Sequence, residues 1–110
     1  MSSLSTHILD TAHGCPASGI AIALLAEAGT VLFTGESNAD GRCADLPAVP
    51  AGRYTLTFAV AAYFRARGME LPDPAFLDVV RIDFGVAEPD AHYHVPLLVS
   101  PFAFSTYRGS

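Results

Sequence analysis

Apolar and polar residues alternate along much of this 110-residue chain. Over residues 53–60 the alternation is strict, and one face is apolar throughout: Tyr54, Leu56, Phe58 and Val60. Residues 78–86 repeat the pattern, with Arg81 and Asp83 on the polar face. Successive side chains of a strand point to opposite faces, so each segment predicts a half-buried β-strand.

Turn residues divide the whole chain into short segments of this kind. The predicted strands cover residues 4–9, 20–27, 30–36, 53–60, 78–86, 92–99 and 102–107. Residues 10–19 predict a loop and residues 37–41 a tight turn, because both are rich in turn-forming residues. Only residues 61–67 have helix-forming composition, with Gly68 as the cap. Seven to eight short strands and one short helix predict an all-β fold, an antiparallel β-sandwich, in a single domain over residues 1–110.

Pro96 interrupts the strand predicted at residues 92–99. Proline cannot donate a ladder hydrogen bond, so we expect an edge position or a bulge here. If no bulge shifts the alternation of side chains between the two faces, the side chains that face the core are Tyr93, Val95, Leu97 and Val99. His92, His94 and Leu98 then face outward, and an outward leucine beside two histidines indicates a subunit interface or a cleft.

Charge and cysteine content narrow the class of protein. Charged residues make up 15% of the chain, against about 25% in typical domains, which favours an oligomer that covers part of its surface. The net charge of −5 argues against nucleic acid or an anionic membrane as a partner. Two cysteines do not form a disulfide scaffold, no secretory signal is visible, and no apolar run reaches membrane-spanning length. We therefore expect a cytoplasmic protein with inert, reduced thiols.

The histidines are the first candidates for chemistry. His92 and His94 share one strand face because side chains repeat with period two. Such a pair can bind a metal or act as general acid and base, and it can equally be two surface histidines. A third metal ligand would come from His7 on the first predicted strand, from Cys15 or Cys43, or from a carboxylate, although no ligand pair has the spacing of a metal site.

Arg42 and the end of the chain supply further candidates. Arg42 follows an Asp-Gly turn and suits planar recognition of an anion or carbonyl, and it can equally be a solvated turn residue. Arg108 allows the same two interpretations. Ser110 offers a hydroxyl, which would need a nearby base to act as a nucleophile.

Four segments of this chain resemble the 5-hydroxyisourate hydrolases, the enzymatic branch of the transthyretin-like family. They are residues 4–12 with 14–17, Asp40-Gly41-Arg42, residues 92–98, and the tetrapeptide Tyr107-Arg108-Gly109-Ser110. The likeness covers nearly the whole chain, and the tetrapeptide is its most specific part. Residues 102–104, Phe-Ala-Phe, depart from the family's usual Tyr-Ser-Tyr type of run.

The resemblance implies a transthyretin-like sandwich assembled as a homotetramer, a dimer of dimers with active sites at the dimer–dimer interface. It also implies hydrolytic opening of a cyclic amide in 5-hydroxyisourate, without metal or cofactor, to 2-oxo-4-hydroxy-4-carboxy-5-ureidoimidazoline in urate breakdown. The family's site residues match His7, Arg42, His94 and residues 107–110.

Hydrolysis of a ring amide needs a base for water, donors for the oxyanion and an acid for the leaving nitrogen. We assign the base to His94, whose ordinary pKa suits work near neutrality. His7 orients substrate or exchanges protons with it. Arg42 holds the electron-rich ring and its oxyanion.

The remaining matched residues surround the same site. Tyr107 packs against the planar ring, while Arg108 and Gly109 close the site. Ser110 polarises water, and His92 belongs to the channel wall.

Two other functions remain open at this stage. One is a non-catalytic transthyretin-like carrier of a small aromatic ligand. The other is a metal-binding sandwich that uses His7, His92 and His94.

Overall fold

Eight strands and one helix make up the fold, which this computed structural model describes over residues 1–110. The strands are β1 (Ser3–Asp10), β2 (Cys15–Pro16), β3 (Ala21–Ala26), β4 (Val31–Glu36), β5 (Gly52–Ala59), β6 (Val79–Val86), β7 (His92–Ser100) and β8 (Ala103–Thr106). The helix α1 (Val60–Ala66) joins β5 to β6. Every predicted strand and the predicted helix are present within about one residue of their expected ends. The one helix, α1, is not long and apolar enough to cross a membrane. The loop predicted at residues 10–19 is wrong at β2, because a two-residue strand shows no periodicity.

The strands form two four-stranded sheets, in the orders β2-β1-β7-β8 and β4-β3-β5-β6. Apolar side chains from both sheets fill the space between them: Ile8, Leu24, Leu56, Phe58 and Leu97 are fully buried. The predicted β-sandwich is confirmed. One pairing differs from the expected antiparallel pattern, since β1 and β7 run parallel. Parallel neighbours need a long crossover, and here the whole second sheet lies between them in the chain.

Pro96 takes the expected edge position only locally: β7 lies between β1 and β8 and has no bulge, but β8 does not pair opposite Pro96. Its missing N–H falls in a gap: β8 stops pairing at Thr106, opposite Leu97, and the chain returns to β7 only at Gly109. In that gap the Thr106 hydroxyl donates to the Pro96 carbonyl at 2.7 Å. Side-chain parity along β7 is therefore kept, and His92 and His94 point away from the core as predicted.

A buried polar network attaches α1 to the end of β1. Asp10 is fully buried and accepts hydrogen bonds from the Tyr63 hydroxyl at 2.7 Å and from His13 Nδ1 at 2.6 Å. Burial alone would raise the pKa of Asp10, but these hydrogen bonds outweigh it, so the pKa lies below its ordinary value. Burial and the bond to Asp10 raise the pKa of Tyr63 to about 12. The network therefore connects α1 to the sheet that contains β1.

Candidate active site

Five polar side chains form a compact patch on the outer face of the β1–β7 pair. The parallel register sets Ser3 opposite His92 and Ser5 opposite His94. His7 lies opposite Pro96, one position further along the same face. His7 and His94 are thus diagonal neighbours on adjacent strands, although 87 residues separate them in sequence.

Arg42 joins this patch through backbone pairing with β1. An isolated antiparallel bridge links His7 and Arg42, and the Ile8 N–H donates to the Gly41 carbonyl at 2.8 Å. The Asn38 side chain organises the turn, because its Oδ1 accepts the Arg42 N–H at 3.1 Å.

Gly41 is required in this turn for two reasons. Its φ of +74° favours glycine, and an added Cβ would lie 2.6 Å from the Ile8 carbonyl oxygen. The glycine therefore allows the turn to lie directly against β1 and sets Arg42 beside His7.

The last residues of the chain reach the patch from the other side of β7. Gly109 pairs with His94, and its N–H donates to the His94 carbonyl at 2.9 Å. A side chain at Gly109 would collide with the His94 imidazole, so the tail lies directly against this ring. Ser110 follows Gly109, is exposed and makes no side-chain hydrogen bond.

Tyr107 and Arg108 lie with the tail, on the side of β7 away from His7 and Arg42. They line a groove of about 350 Å³ between the tail and β6, where His94 forms part of the wall. The Arg108 guanidinium lies over the Tyr93 ring, 4.1 Å from its centroid, a cation–π contact that anchors the tail. Tyr107 is largely exposed.

The outer face of the second sheet carries a larger depression of about 510 Å³. Its charged lining consists of Glu27, Arg53, Arg81 and Asp83, with Glu27 and Arg53 in an exposed ion pair. None of the predicted site residues lies there, and it holds no histidine to act as a base.

The surroundings of His94 favour its neutral form. Partial burial lowers its pKa, and the positive Arg42 and the neighbouring His7 and His92 lower it further. The imidazole of His94 is therefore neutral near pH 7, with a lone pair available to accept a proton. His, Cys, Asp and Glu residues include no group of three arranged to hold a metal ion, so the geometry gives the metal-binding alternative no support.

The sequence prediction missed three residues of this arrangement. The hydroxyls of Ser3 and Ser5 bind the ring nitrogens of His92 and His94, and Asn38 holds the turn of Arg42. The alternation in β1 already put Ser5 on the face of His7, but only the pairing with β7 gives it histidine partners.

Comparison with known proteins identifies the family of this chain. The model of the HIUase/Transthyretin family matches residues 4–109. The chain belongs to the HIUase/transthyretin family.

Relatives named 5-hydroxyisourate hydrolase match this chain over nearly all of their own length. The 5-hydroxyisourate hydrolase of Ralstonia nicotianae is 53% identical, covering 100% of both chains. That of Pseudomonas aeruginosa is 51% identical, covering 100% of this chain and 93% of the relative.

Solved structures of the family share the same fold. The 5-hydroxyisourate hydrolase of Klebsiella pneumoniae superposes with a TM-score of 0.87 at 43% identity, covering 100% of both chains. Transthyretin from Sparus aurata superposes with a TM-score of 0.84 at 31% identity, covering 96% of this chain and 95% of that chain. (S)-allantoin synthase superposes with a TM-score of 0.91 at 41% identity. The match covers 99% of this chain and 44% of that longer chain. The transthyretin-like sandwich expected from the sequence is therefore confirmed.

Proposed function

We propose that this chain hydrolyses 5-hydroxyisourate, opening its cyclic amide to give 2-oxo-4-hydroxy-4-carboxy-5-ureidoimidazoline in urate breakdown. The observation that carries the proposal is that strand register and the His7–Arg42 bridge bring His94, His7 and Arg42 together on one open face. Full-length relatives that bear the hydrolase name support the choice of substrate.

The patch supplies what amide hydrolysis needs. His94 takes a proton from water, because its lowered pKa leaves it unprotonated at neutral pH. Arg42 binds the electron-rich ring and the oxyanion that forms during attack. His7, paired with Arg42, orients the substrate and exchanges protons with the leaving nitrogen. We propose a reaction without metal or organic cofactor, since these side chains provide the base, the anion donor and the proton source.

The tail and His92 complete the proposed site. Gly109 lies against His94, and we assign to Ser110, its neighbour, the positioning of the attacking water. Tyr107 and Arg108 contribute to substrate binding from the groove side, and His92 forms the wall beside His94.

The test follows the ultraviolet absorbance of 5-hydroxyisourate, made in the cuvette from urate with uricase, with a chelator present. We expect the protein to accelerate the decay. Arg42→Ala should abolish the acceleration, whereas Arg53→Ala, an exposed arginine of the second sheet, should leave it intact. Decay at the spontaneous rate with folded wild-type protein would refute the proposal.

A second candidate is a carrier of a small aromatic ligand, which the likeness to sea bream transthyretin solved in complex with thyroxine favours. A carrier needs an apolar channel but no proton acceptor. Spontaneous decay of 5-hydroxyisourate, together with saturable binding of an aromatic ligand, would favour this candidate over the hydrolase.

We propose that the working form is a homotetramer, a dimer of dimers with sites at the dimer–dimer interface. The edge strands β6 and β8 have no partner on one side, and exposed apolar side chains border them, including Phe76, Val79, Phe102 and Phe104. On the site face, Leu9 and Leu98 are paired and only partly covered. Sedimentation of the purified protein tests the assembly, and a monomer at assay concentration with full activity would contradict it.

We also propose that the protein works in the cytoplasm. Cys15 and Cys43 are both free thiols, as is usual in a reducing compartment. Fractionation of the source cells, with a cytoplasmic marker enzyme as control, tests this location.

A further inference from the structure

Three hydrogen bonds connect two serines and two histidines into one continuous row along the site face. Ser3 Oγ lies 2.6 Å from His92 Nδ1, and His92 Nε2 lies 2.9 Å from Ser5 Oγ. Ser5 Oγ in turn lies 2.7 Å from His94 Nδ1. Both ring nitrogens of His92 and the Nδ1 of His94 are thus engaged, and the row begins at exposed Ser3.

We propose that this row is a proton relay ending at His94, and that Ser5 is the residue that positions the His94 imidazole for it. This inference rests on the proposed hydrolase function, because it assigns the base of that reaction. It adds Ser5 and Ser3 to the machinery and gives His92 a role as a carrier of protons.

Each serine hydroxyl has a single proton, so when both rings are neutral and Ser5 donates its proton to one of the two imidazoles, the row can run in two directions. In one direction Ser5 donates to His94 Nδ1, and the His94 proton sits on Nε2. In the other, His94 Nδ1–H donates to Ser5, Ser5 donates to His92 Nε2, and His92 Nδ1–H donates to Ser3. Only the second direction leaves His94 Nε2 with the lone pair that a base requires.

The transfer through the row balances. When His94 Nε2 takes a proton from the attacking water, the Nδ1 proton of His94 passes to Ser5 Oγ. The hydroxyl proton of Ser5 passes to His92 Nε2, and the Nδ1 proton of His92 passes to Ser3. The hydroxyl proton of Ser3 leaves to solvent. One proton enters and one leaves, the hydroxide formed from water is free to attack, and every member of the row ends neutral.

The charges around His94 explain why a relay is useful at this position. Arg42 from the turn, His7 from β1 and His92 from β7 all oppose a positive charge on His94. From the tail, the Arg108 guanidinium is directed to Tyr93. An imidazolium held at His94 would be unfavourable, and the relay avoids it by releasing a proton to solvent at the exposed end of the row.

The first test reads the tautomer of His94 by nitrogen NMR of protein with ¹⁵N-labelled histidine, at a pH where the ring is neutral. We expect Nδ1–H in the wild type. Ser5→Ala should return His94 towards the Nε2–H form that free imidazoles of histidine prefer, while Ser5→Thr, which keeps the hydroxyl, should retain Nδ1–H. An Nε2–H form in the wild type, or the same spectrum in wild type and Ser5→Ala, would overturn the relay.

The second test separates positioning from folding by kinetics. Ser5→Ala should lower kcat for 5-hydroxyisourate roughly 10- to 100-fold, part of the effect of general base catalysis, with KM changed less than about twofold. Ser5→Thr should restore most of the rate, and Ser18→Ala in an exposed loop should match the wild type. A wild-type kcat in Ser5→Ala would refute the proposal.

The two tests also distinguish failure of the relay from failure of the proposed function. If the wild-type protein does not accelerate decay of 5-hydroxyisourate, the hydrolase proposal fails, and the tautomer of His94 still decides whether Ser5 orients the ring. If Ser5→Ala loses structure by circular dichroism, Ser3→Ala serves instead. It breaks the exposed end of the row, and unchanged kcat in that variant would equally contradict proton exit through Ser3.

Discussion

Replacement of Gly109 by alanine should disable the site while leaving the fold intact. An added Cβ would lie 3.1 Å from Cγ and 3.2 Å from Cβ of His94, and closer still to Cδ2. Non-bonded carbons rest about 3.5–4.0 Å apart, so the ring or the tail must move by about 1 Å. A misplacement of about 1 Å can lower a rate about 100-fold, and we expect kcat to fall by that order.

Stability should hardly change in the same variant. Gly109 has no positive φ, so alanine introduces no backbone strain there. The clash involves only the tail and one partly exposed ring, and we expect the free energy of unfolding to change by less than about 1 kcal/mol.

The assay compares Gly109→Ala with Gly52→Ala by ultraviolet decay of 5-hydroxyisourate and by urea unfolding at equal protein concentration. Gly52 begins β5, away from the groove, and an added Cβ there would lie no closer than 3.4 Å to any atom. It therefore reports the effect of a glycine-to-alanine change without a clash. Wild-type kcat in a folded Gly109→Ala protein would show that close packing of the tail on His94 does not matter in the working enzyme.

Three further changes test other parts of the structure. Gly41→Ala should lower the free energy of unfolding by at least about 1–2 kcal/mol, since φ is +74°, and should also reduce turnover; a urea midpoint equal to the wild type would contradict this. Tyr63→Phe removes a hydrogen bond to the Asp10 carboxylate and should cost about 1.5–3 kcal/mol at pH 7. Because the pKa of folded Asp10 lies below its ordinary 3.8, this stabilisation is complete above pH 3.8 and is lost as pH falls through the lowered value. If urea unfolding shows the same difference in free energy of unfolding between wild type and Tyr63→Phe from pH 7 down to pH 2, that account is refuted. Deletion of residues 107–110 should abolish turnover and retain the circular dichroism of the sandwich, and an active truncated protein would remove the tail from the site.

Local periodicity was enough to predict the strands, the helix and the shared face of His92 and His94. It could not predict the direction of β7 against β1, because that pairing joins residues nearly ninety positions apart. The exact setting of Pro96 could not be predicted for the same reason: its missing N–H is harmless because β8 stops pairing beside it. The roles of Ser3 and Ser5 depend on the same long-range register and so remained hidden.

Catalytic geometry and core packing depend on one register in this protein. A slip of β7 by one residue against β1 would carry His94 into the core and expose its neighbours, because side chains alternate between faces. The buried side chains of Ile8 and Leu97, which are register partners, oppose such a slip. The backbone N–H of Ile8 also binds the turn of Arg42, so this one residue packs the core with its side chain and holds the turn that carries Arg42 with its main chain. The packing of the β1–β7 pair therefore sets the spacing of the histidines, and the turn and the tail attach to this pair to add Arg42 and Gly109.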